Sequence, residues 1–225
     1  MAFELSNVVP WGRSFEEYVA MFALTRDDLG QEILGCADGP ASFNAVAARY
    51  GYKITSADPL YRFSEEQIRS RIEETAVSIA EQTRQNRDEF VWTYFRSVEE
   101  LIVERMNAMS DFLADYAAGS EAGWYVNASL PSLPFSDGQF DIALCSHFLF
   151  LYSEQHDAQF HVESISELRR VSREVRVFPL LELGSVPSRH LEVVAKGLER
   201  WGHRTKRVRV AYEFQKNGNE MLVIV

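Results

Sequence analysis

The stretch that most constrains this chain is Ile33-Leu34-Gly35-Cys36-Ala37-Asp38-Gly39-Pro40-Ala41-Ser42-Phe43, taken together with Asp58. A short apolar run breaks at a turn of small residues, a helical pattern follows at once, and an acid ends the next β-rich run about twenty residues on. Small residues at such a turn let a ligand approach the backbone, and the positive end of the helix favours a carboxylate or phosphate. An acid at the end of the second strand can accept hydrogen bonds from both hydroxyls of a ribose. The stretch therefore predicts a nucleotide-binding α/β unit.

The surrounding pattern extends that unit in both directions. Ser14-Phe15-Glu16-Glu17 has capping-box spacing and predicts a helix from 14 to about 24; a second start lies at Thr25-Arg26-Asp27-Asp28. A first strand is expected over 32–37, then a helix with Pro40 in its first position, Phe43, Val46, Ala47 and Tyr50 on one face and Gly51 as its left-handed stop. Lys53 to Ala57 reads as the second strand. Ser64-Glu65-Glu66-Gln67 and Ser97-Val98-Glu99-Glu100 both look like capping boxes opening long helices. The second carries a stripe of Val98, Leu101, Ile102, Arg105, Met106, Met109, Phe112, Leu113 and Tyr116, so 64 to about 117 is expected to be a helical insertion in one crossover. Strand candidates return at 124–127, 140–146 and 174–179, separated by helical stretches near 161–172 and 188–201. Strands alternating with helices imply a parallel sheet. Segments 206–214 and 220–225, joined through Asn217-Gly218, imply a final hairpin and a reversed last strand. The expected organisation is one domain over 1–225, with a helical cap at 1–30 and an insertion at 62–118.

Charge and composition narrow the function classes. With 225 residues and 46% hydrophobic side chains the chain can bury a full core. Its 33 acids against 23 bases leave a net charge of -10, which repels nucleic-acid backbones and anionic lipid, so neither is an expected partner. The basic run Arg200–Arg209 reads as a solvated helix end and strand face. Cys36 and Cys145 sit in apolar runs as core residues, no stretch is long and apolar enough for a membrane span, and no leader pattern opens the chain, so a cytoplasmic protein is expected. His156, Asp157, His161 and Glu163 do not share one face in ligand spacing, and no metal site is expected.

Here the chain resembles the class I S-adenosylmethionine-dependent methyltransferases. Ile33–Phe43 is similar to the first motif of that superfamily, Asp58 matches its ribose acid, Ser129–Asp141 resembles the entry to its fourth strand, and Cys145-Ser146-His147-Phe148 the turn after it. The departures are Gly35 where an acid is common, Ala37 and Ala41 in place of glycines, and Ser129 in place of an adenine-contacting Asp. The resemblance implies a Rossmann-like, seven-stranded, mostly parallel sheet with an antiparallel C-terminal strand, helices on both faces and a helical insertion between strands 2 and 3. It also implies S-adenosylmethionine as cofactor and a small-molecule acceptor. Gly35, Ala37, Asp38 and Gly39 would serve the methionine part, Asp58 with Pro59 the ribose, Leu60, Ser129 and Leu130 the adenine, and Ser146 the sulfonium side. Arg13 and Tyr18, from a helix that often covers the cofactor in this fold, would face it too, Arg13 towards the methionine carboxylate.

Methyl transfer depends mainly on positioning, so a dedicated base is often optional. If an acceptor proton must leave, His147 is the candidate catalytic base, directly after the fourth strand; a pocket-lining His is the other reading. Tyr61 and Tyr152 could face the pocket or simply pack. Phe90, Trp92, Tyr94 and Phe95 could form a substrate lid, although a helical pack or a contact in a homodimer is the simpler expectation. Two other readings stand beside methyl transfer. One is an NAD-dependent oxidoreductase, which would need glycines where Ala37 and Ser42 stand. The other is a non-catalytic binding or regulatory protein on the same scaffold.

Overall fold

The computed structural model describes residues 9–225, so the part of the expected cap before Val9 lies outside the described residues. Helix α1 (Phe15–Met21) starts at Ser14, whose hydroxyl accepts from the Glu17 amide while the Glu17 carboxylate accepts from the Ser14 amide. Thr25 and Asp28 repeat that exchange at α2 (Arg26–Leu29). Strand β1 (Ile33–Cys36) is buried along its whole length, as a central parallel strand must be.

Helix α3 (Phe43–Arg49) begins three residues later than Pro40 predicts. The reason lies in the turn before it. Ala37 and Gly39 both take positive φ, and the Ser42 amide is drawn to the Arg13 carbonyl. Gly51 ends the helix at φ +79°, as expected from its place in the sequence.

Strand β2 (Ile54–Ala57) leads into a 3-10 turn at Pro59–Arg62, then α4 (Glu65–Gln85) and α5 (Val98–Glu121). The capping box at Ser64 is complete. At Ser97 only half of it forms, because the Glu100 carboxylate accepts from the Arg96 amide instead. The stripe on α5 packs as read, with Met109, Phe112, Leu113 and Tyr116 meeting Tyr61, Ile68, Ile72 and Tyr125.

The rest of the sheet follows as β3 (Tyr125–Val126), β4 (Phe140–Ser146) and β5 (Ser172–Phe178). Helix α6 (Ala158–Val171), capped by Asp157, starts earlier than expected and runs directly into β5. A small ribbon, β6 (Leu181–Glu182) with β7 (Val186–Pro187), was not expected from the sequence; at two residues a strand it is too short to show alternation. Helix α7 (Leu191–Arg200) precedes the terminal pair β8 (Thr205–Arg209) and β9 (Glu220–Ile224). The expected strand over 206–214 stops at Arg209. Beyond the Val210–Asn219 backbone bond the chain leaves the sheet, and Tyr212 turns into the interior.

The order of the seven strands is β3-β2-β1-β4-β5-β9-β8, parallel except for β9, which runs antiparallel to both neighbours. Alternate residues face opposite layers. Leu34, Cys36, Ala143 and Cys145 pack with Val162, Ile165 and Leu168 of α6 and Leu191, Val194 and Leu198 of α7. Ile33, Ile142 and Leu144 pack with Phe15, Tyr18 and Met21 of α1 and Phe43 and Ala47 of α3. The result is a Rossmann-like α/β fold with helices on both faces and a helical insertion between β2 and β3. From β1 the chain winds outward through β2 and β3, then returns to β4 on the other side. The crevice above the β1 and β4 ends is therefore the switch point where such sheets bind ligands.

Candidate functional site

A cavity of about 280 Å³ occupies that crevice. Its floor is the turn after β1, the end of β2 and the turn after β4, which contribute Ala37, Asp38, Gly39, Asp58, Ser146 and His147. Arg13 and Tyr18 close one side, and Pro59 and Leu60 lie at the other. Ten of the expected site residues are thus brought together on one cavity.

Gly35, Ser129 and Leu130 do not line it. Gly35 acts from beneath: a Cβ there would lie 1.8 Å from Asp38 Oδ2, so the missing side chain is the space the Asp38 carboxylate occupies. Leu130 is buried in the core layer of α6 and α7, and Ser129 pairs by a backbone bridge with Ser132. Ser129 is exposed while Leu130 is buried, so neither side chain lines the cavity.

The floor is held by local hydrogen bonds that explain its residue types. Ala37 adopts φ +58° and its amide donates to the Ala57 carbonyl at 2.8 Å; an alanine here takes a glycine's conformation. Tyr18 Oη donates to Asp38 Oδ1 at 2.8 Å and Ser56 Oγ to Oδ2 at 2.9 Å. Burial nevertheless pushes the Asp38 carboxyl up to about 7, outweighing those two donors. Asp58 accepts from the Leu60 amide at 2.7 Å and the Gly39 amide at 2.9 Å, and desolvation raises it to about 6 against the pull of both bonds. Each of its oxygens keeps a second lone pair for a ligand hydroxyl. Tyr61 Oη donates to the Gly39 carbonyl at 2.8 Å, so Tyr61 braces the turn from outside the cavity.

His147 sits at φ +50°, its amide donating to the Phe178 carbonyl at 2.6 Å and its Nδ1 within 2.9 Å of Ser146 Oγ. Burial, with the charges of Arg13 and Arg105 beside it, lowers its pKa well below the usual value. At neutral pH the ring is uncharged, and the same surroundings disfavour its protonated form, so it can accept a hydrogen bond but is a weak base.

Arg105 is the site residue that sequence reasoning missed. It lies within the apolar stripe of α5, 1% exposed, and forms an ion pair with Glu17, itself 1% exposed. Tyr212 Oη donates to the other Glu17 oxygen at 2.7 Å. A charge on an otherwise apolar helix face requires a buried partner, which was the available signal. Among the described residues Arg13 forms no ion pair with a carboxylate. Its Nη1 donates to the Trp11 carbonyl at 3.3 Å, and burial together with Arg105 brings it down to about 10. The Nε atoms of both Arg13 and Arg105 are buried without a hydrogen-bond partner among the described residues. Arg13 and Arg105 both line the cavity and bring positive charge to it, which favours an anionic group there.

The far wall comes from the insertion and the C-terminal loop. Ile79 and Thr83 of α4, Leu101 of α5, Phe90, Phe214 and Gln215 line it. Main-chain bonds fasten the α4–α5 connector to the loop before β9: the Val91 amide donates to the Phe214 carbonyl at 2.7 Å and the Lys216 amide to the Glu89 carbonyl at 3.0 Å. Phe90 stacks on Phe214 with ring centroids 4.7 Å apart. The aromatic group expected to be a helical pack thus supplies a cavity wall through Phe90.

Outside the crevice, both His161 ring nitrogens lie within hydrogen-bond distance of backbone carbonyls, those of Asp157 and Leu149. Cys36 and Cys145 are buried free thiols. Among the described residues no helix is long and apolar enough to cross a membrane.

No known protein-family profile matches the chain. An uncharacterized protein of Methanocaldococcus jannaschii, MJ0045, is 35% identical over 221 residues, which cover 98% of this chain and 97% of that protein. Among solved structures, the PH0226 protein of Pyrococcus horikoshii superposes with a TM-score of 0.50 at 11% identity, covering 93% of this chain and 90% of that one. The magnesium protoporphyrin IX methyltransferase of Synechocystis, solved with bound S-adenosylmethionine, gives a TM-score of 0.47 at 12% identity over 94% of this chain and 77% of its own. The chain belongs to the same family as the Methanocaldococcus jannaschii protein and has a Rossmann-like α/β fold.

Proposed function

We propose that the protein binds S-adenosylmethionine and transfers its methyl group to a small-molecule acceptor. The observation that carries this reading is the convergence of the 37–39 turn, Asp58, Arg13 and Arg105 on one cavity. Each matches a different part of the cofactor. Asp58 accepts from ribose hydroxyls, Pro59 and Leu60 offer an apolar edge to the base, and Arg13 with Arg105 holds the carboxylate. The cofactor supplies a methyl group on a positively charged sulfur, which an acceptor lone pair displaces in line while sulfur keeps the bonding electrons.

The chain's own part is placement. Ser146 and His147 line the same cavity, and the uncharged His147 ring can orient an acceptor by accepting a hydrogen bond from it, the proton itself passing to solvent where one must leave. The wall of α4, α5 and the C-terminal loop excludes water from the reacting side. Buried free Cys36 and Cys145 fit a reducing, cytoplasmic setting.

Calorimetric titration with S-adenosylmethionine and, separately, NADH tests the cofactor. Binding of the first alone supports the proposal, binding of NADH supports an oxidoreductase, and binding of neither supports a non-catalytic role. Incubation with isotopically labelled S-adenosylmethionine and a metabolite extract, followed by mass spectrometry, then identifies the acceptor; no label transfer would leave binding without catalysis.

A further inference from the structure

Two exposed arginines at the cavity have no counter-charge. Arg62 ends the 3-10 turn that carries Pro59 and Leu60, Arg71 lies on α4, and both line the cavity together with Phe63. Both guanidinium groups lie over the Phe63 ring, that of Arg62 4.6 Å and that of Arg71 4.1 Å from its centre. Among the described residues neither side chain forms an ion pair or a hydrogen bond.

Acids are within reach along α4, but they are engaged elsewhere. Glu65 pairs with Arg69 at 2.6 Å, and Glu74, one turn beyond Arg71, accepts from Ser70 Oγ at 3.2 Å. An acid three residues on is a natural partner for a helical arginine, yet Arg71 leans back onto Phe63 and the cavity. The ring beneath is fixed. The Phe63 amide donates to the Leu60 carbonyl at 3.1 Å, and its own carbonyl accepts from Tyr116 Oη at 3.0 Å. Cation–π contact holds the two guanidinium groups without using their N–H donors, which stay free for an anion.

This pair is separate from Arg13 and Arg105. Helices α4 and α5 run antiparallel, with Ile68 and Ile72 against Phe112 and Tyr116 towards one end and Arg84 paired with Glu99 at the other. Phe63 precedes α4 and Phe95 precedes α5, so the two rings stand at opposite ends of the helix pair. The Arg105 guanidinium reaches to Phe95, 5.4 Å from its centre, whereas Arg71 reaches to Phe63. In a chain of net charge -10, one cavity thus gathers positive charge at two places.

We infer that Arg62 and Arg71 form a second anion subsite, and that the ligand taken there carries a carboxylate or a phosphate ester on an apolar body. Phe63 and, further along α4, Ile79 offer that body its contacts. The subsite stands on the chain's own charges. Only its identification with the acceptor rests on the methyltransferase reading: there the single carboxylate of the cofactor belongs to Arg13 and Arg105, so a second anionic group comes from another molecule.

Benzoate, phenyl phosphate and benzamide probe the subsite, the first two charged and the third neutral but close to benzoate in size. Binding is measured by ligand-observed NMR on the whole chain at low salt, with and without saturating S-adenosylhomocysteine. Benzoate or phenyl phosphate is expected to bind about tenfold more tightly than benzamide, and the tighter of the two shows which anion is preferred. The double variant Arg62→Gln, Arg71→Gln is expected to weaken both anions about tenfold and leave benzamide unchanged, melting like the wild type because both side chains are exposed. Arg62→Lys with Arg71→Lys, which keeps the charge, is expected to retain part of the preference. Benzamide binding as tightly as both anions, anion affinity unchanged in the Gln variant, or no binding of any probe would overturn the assignment. So would a Gln variant that loses S-adenosylhomocysteine affinity, since the arginines would then serve the cofactor. Failure of the cofactor reading shows separately, as no S-adenosylhomocysteine binding to the wild type, while the fall in anion affinity in the variant is still read without it.

Discussion

Replacing Glu17 with Gln tests whether the buried Arg105–Glu17 contact assembles the site. Gln keeps one oxygen for the Ser14 amide, so the helix cap survives, and its NH2 group meets the Tyr212 hydroxyl, which can turn to accept, while the charge is removed. Arg105 would then be a buried cation without a counter-charge, with Arg13 close by to repel it. Breaking a buried ion pair from one side costs about 3–5 kcal/mol. For a domain of this size each kcal/mol lowers Tm by about 2–4 °C, giving an expected drop of about 6–20 °C. Replacing both partners, Glu17→Gln with Arg105→Met, removes the stranded charge and is expected to recover at least half of that loss, since an apolar substitute for a buried pair is often neutral or better. Thermal melting of the wild type, both single variants and the double variant closes the cycle. A drop below about 3 °C for Glu17→Gln, or a double variant no more stable than the worse single one, would refute the account.

Ala37→Gly is expected to raise stability slightly: relieving a left-handed alanine returns about 1–2 kcal/mol, of which the added freedom of the unfolded glycine removes about 0.4–1, and a lowered Tm would contradict the strain. Gly35→Ala is expected to cost about 1–3 kcal/mol and to weaken cofactor binding, because its methyl group displaces the Asp38 carboxylate from Tyr18 and Ser56; melting and affinity like those of the wild type would count against this. Asp58, raised to about 6, gives opposite pH responses in affinity and stability. Cofactor affinity should fall as pH drops through about 6, whereas the raised folded-state pKa contributes stability that is complete below the ordinary carboxylate range and lost as pH rises through about 6. Calorimetry and melting between pH 5 and 8, with Asp58→Asn as the control that leaves only the Asp38 titration near 7, check both signs; an affinity profile identical in the two proteins would remove Asp58 from the ligand.

The floor of the site was legible because its chemistry is local. A strand, a small-residue turn and an acid one strand later lie within Ile33–Asp58, and such short-range features follow from residue type alone. The roof was not. Glu17 reads as the last residue of a capping box and Arg105 as a break in an apolar stripe, and only the packing of α1 against α5 joins them. Ser129 and Leu130 were misplaced for a related reason: they match a motif by position, but Leu130 is buried in the core layer of α6 and α7 and Ser129 is exposed, so neither lines the cavity. The hairpin was read too long because Val208, Val210, Tyr212 and Phe214 alternate like a strand. Val208 does pair with Met221 of β9, but Val210 and Tyr212 lie beyond the strand and pack into the core layer of α1 and α3.

The seam between the α4–α5 connector and the C-terminal loop is made by main-chain atoms of Glu89, Val91, Phe214 and Lys216. A closure of that kind is indifferent to side-chain identity except at glycine or proline. The same cover could therefore be re-tailored to molecules of different shape by exchanging residues such as Ile79, Thr83 or Gln215, while the floor stays bound to its own hydrogen bonds. On the proposed reading, acceptor choice and cofactor capture are thus lodged in separable parts of the chain, and either can drift without the other.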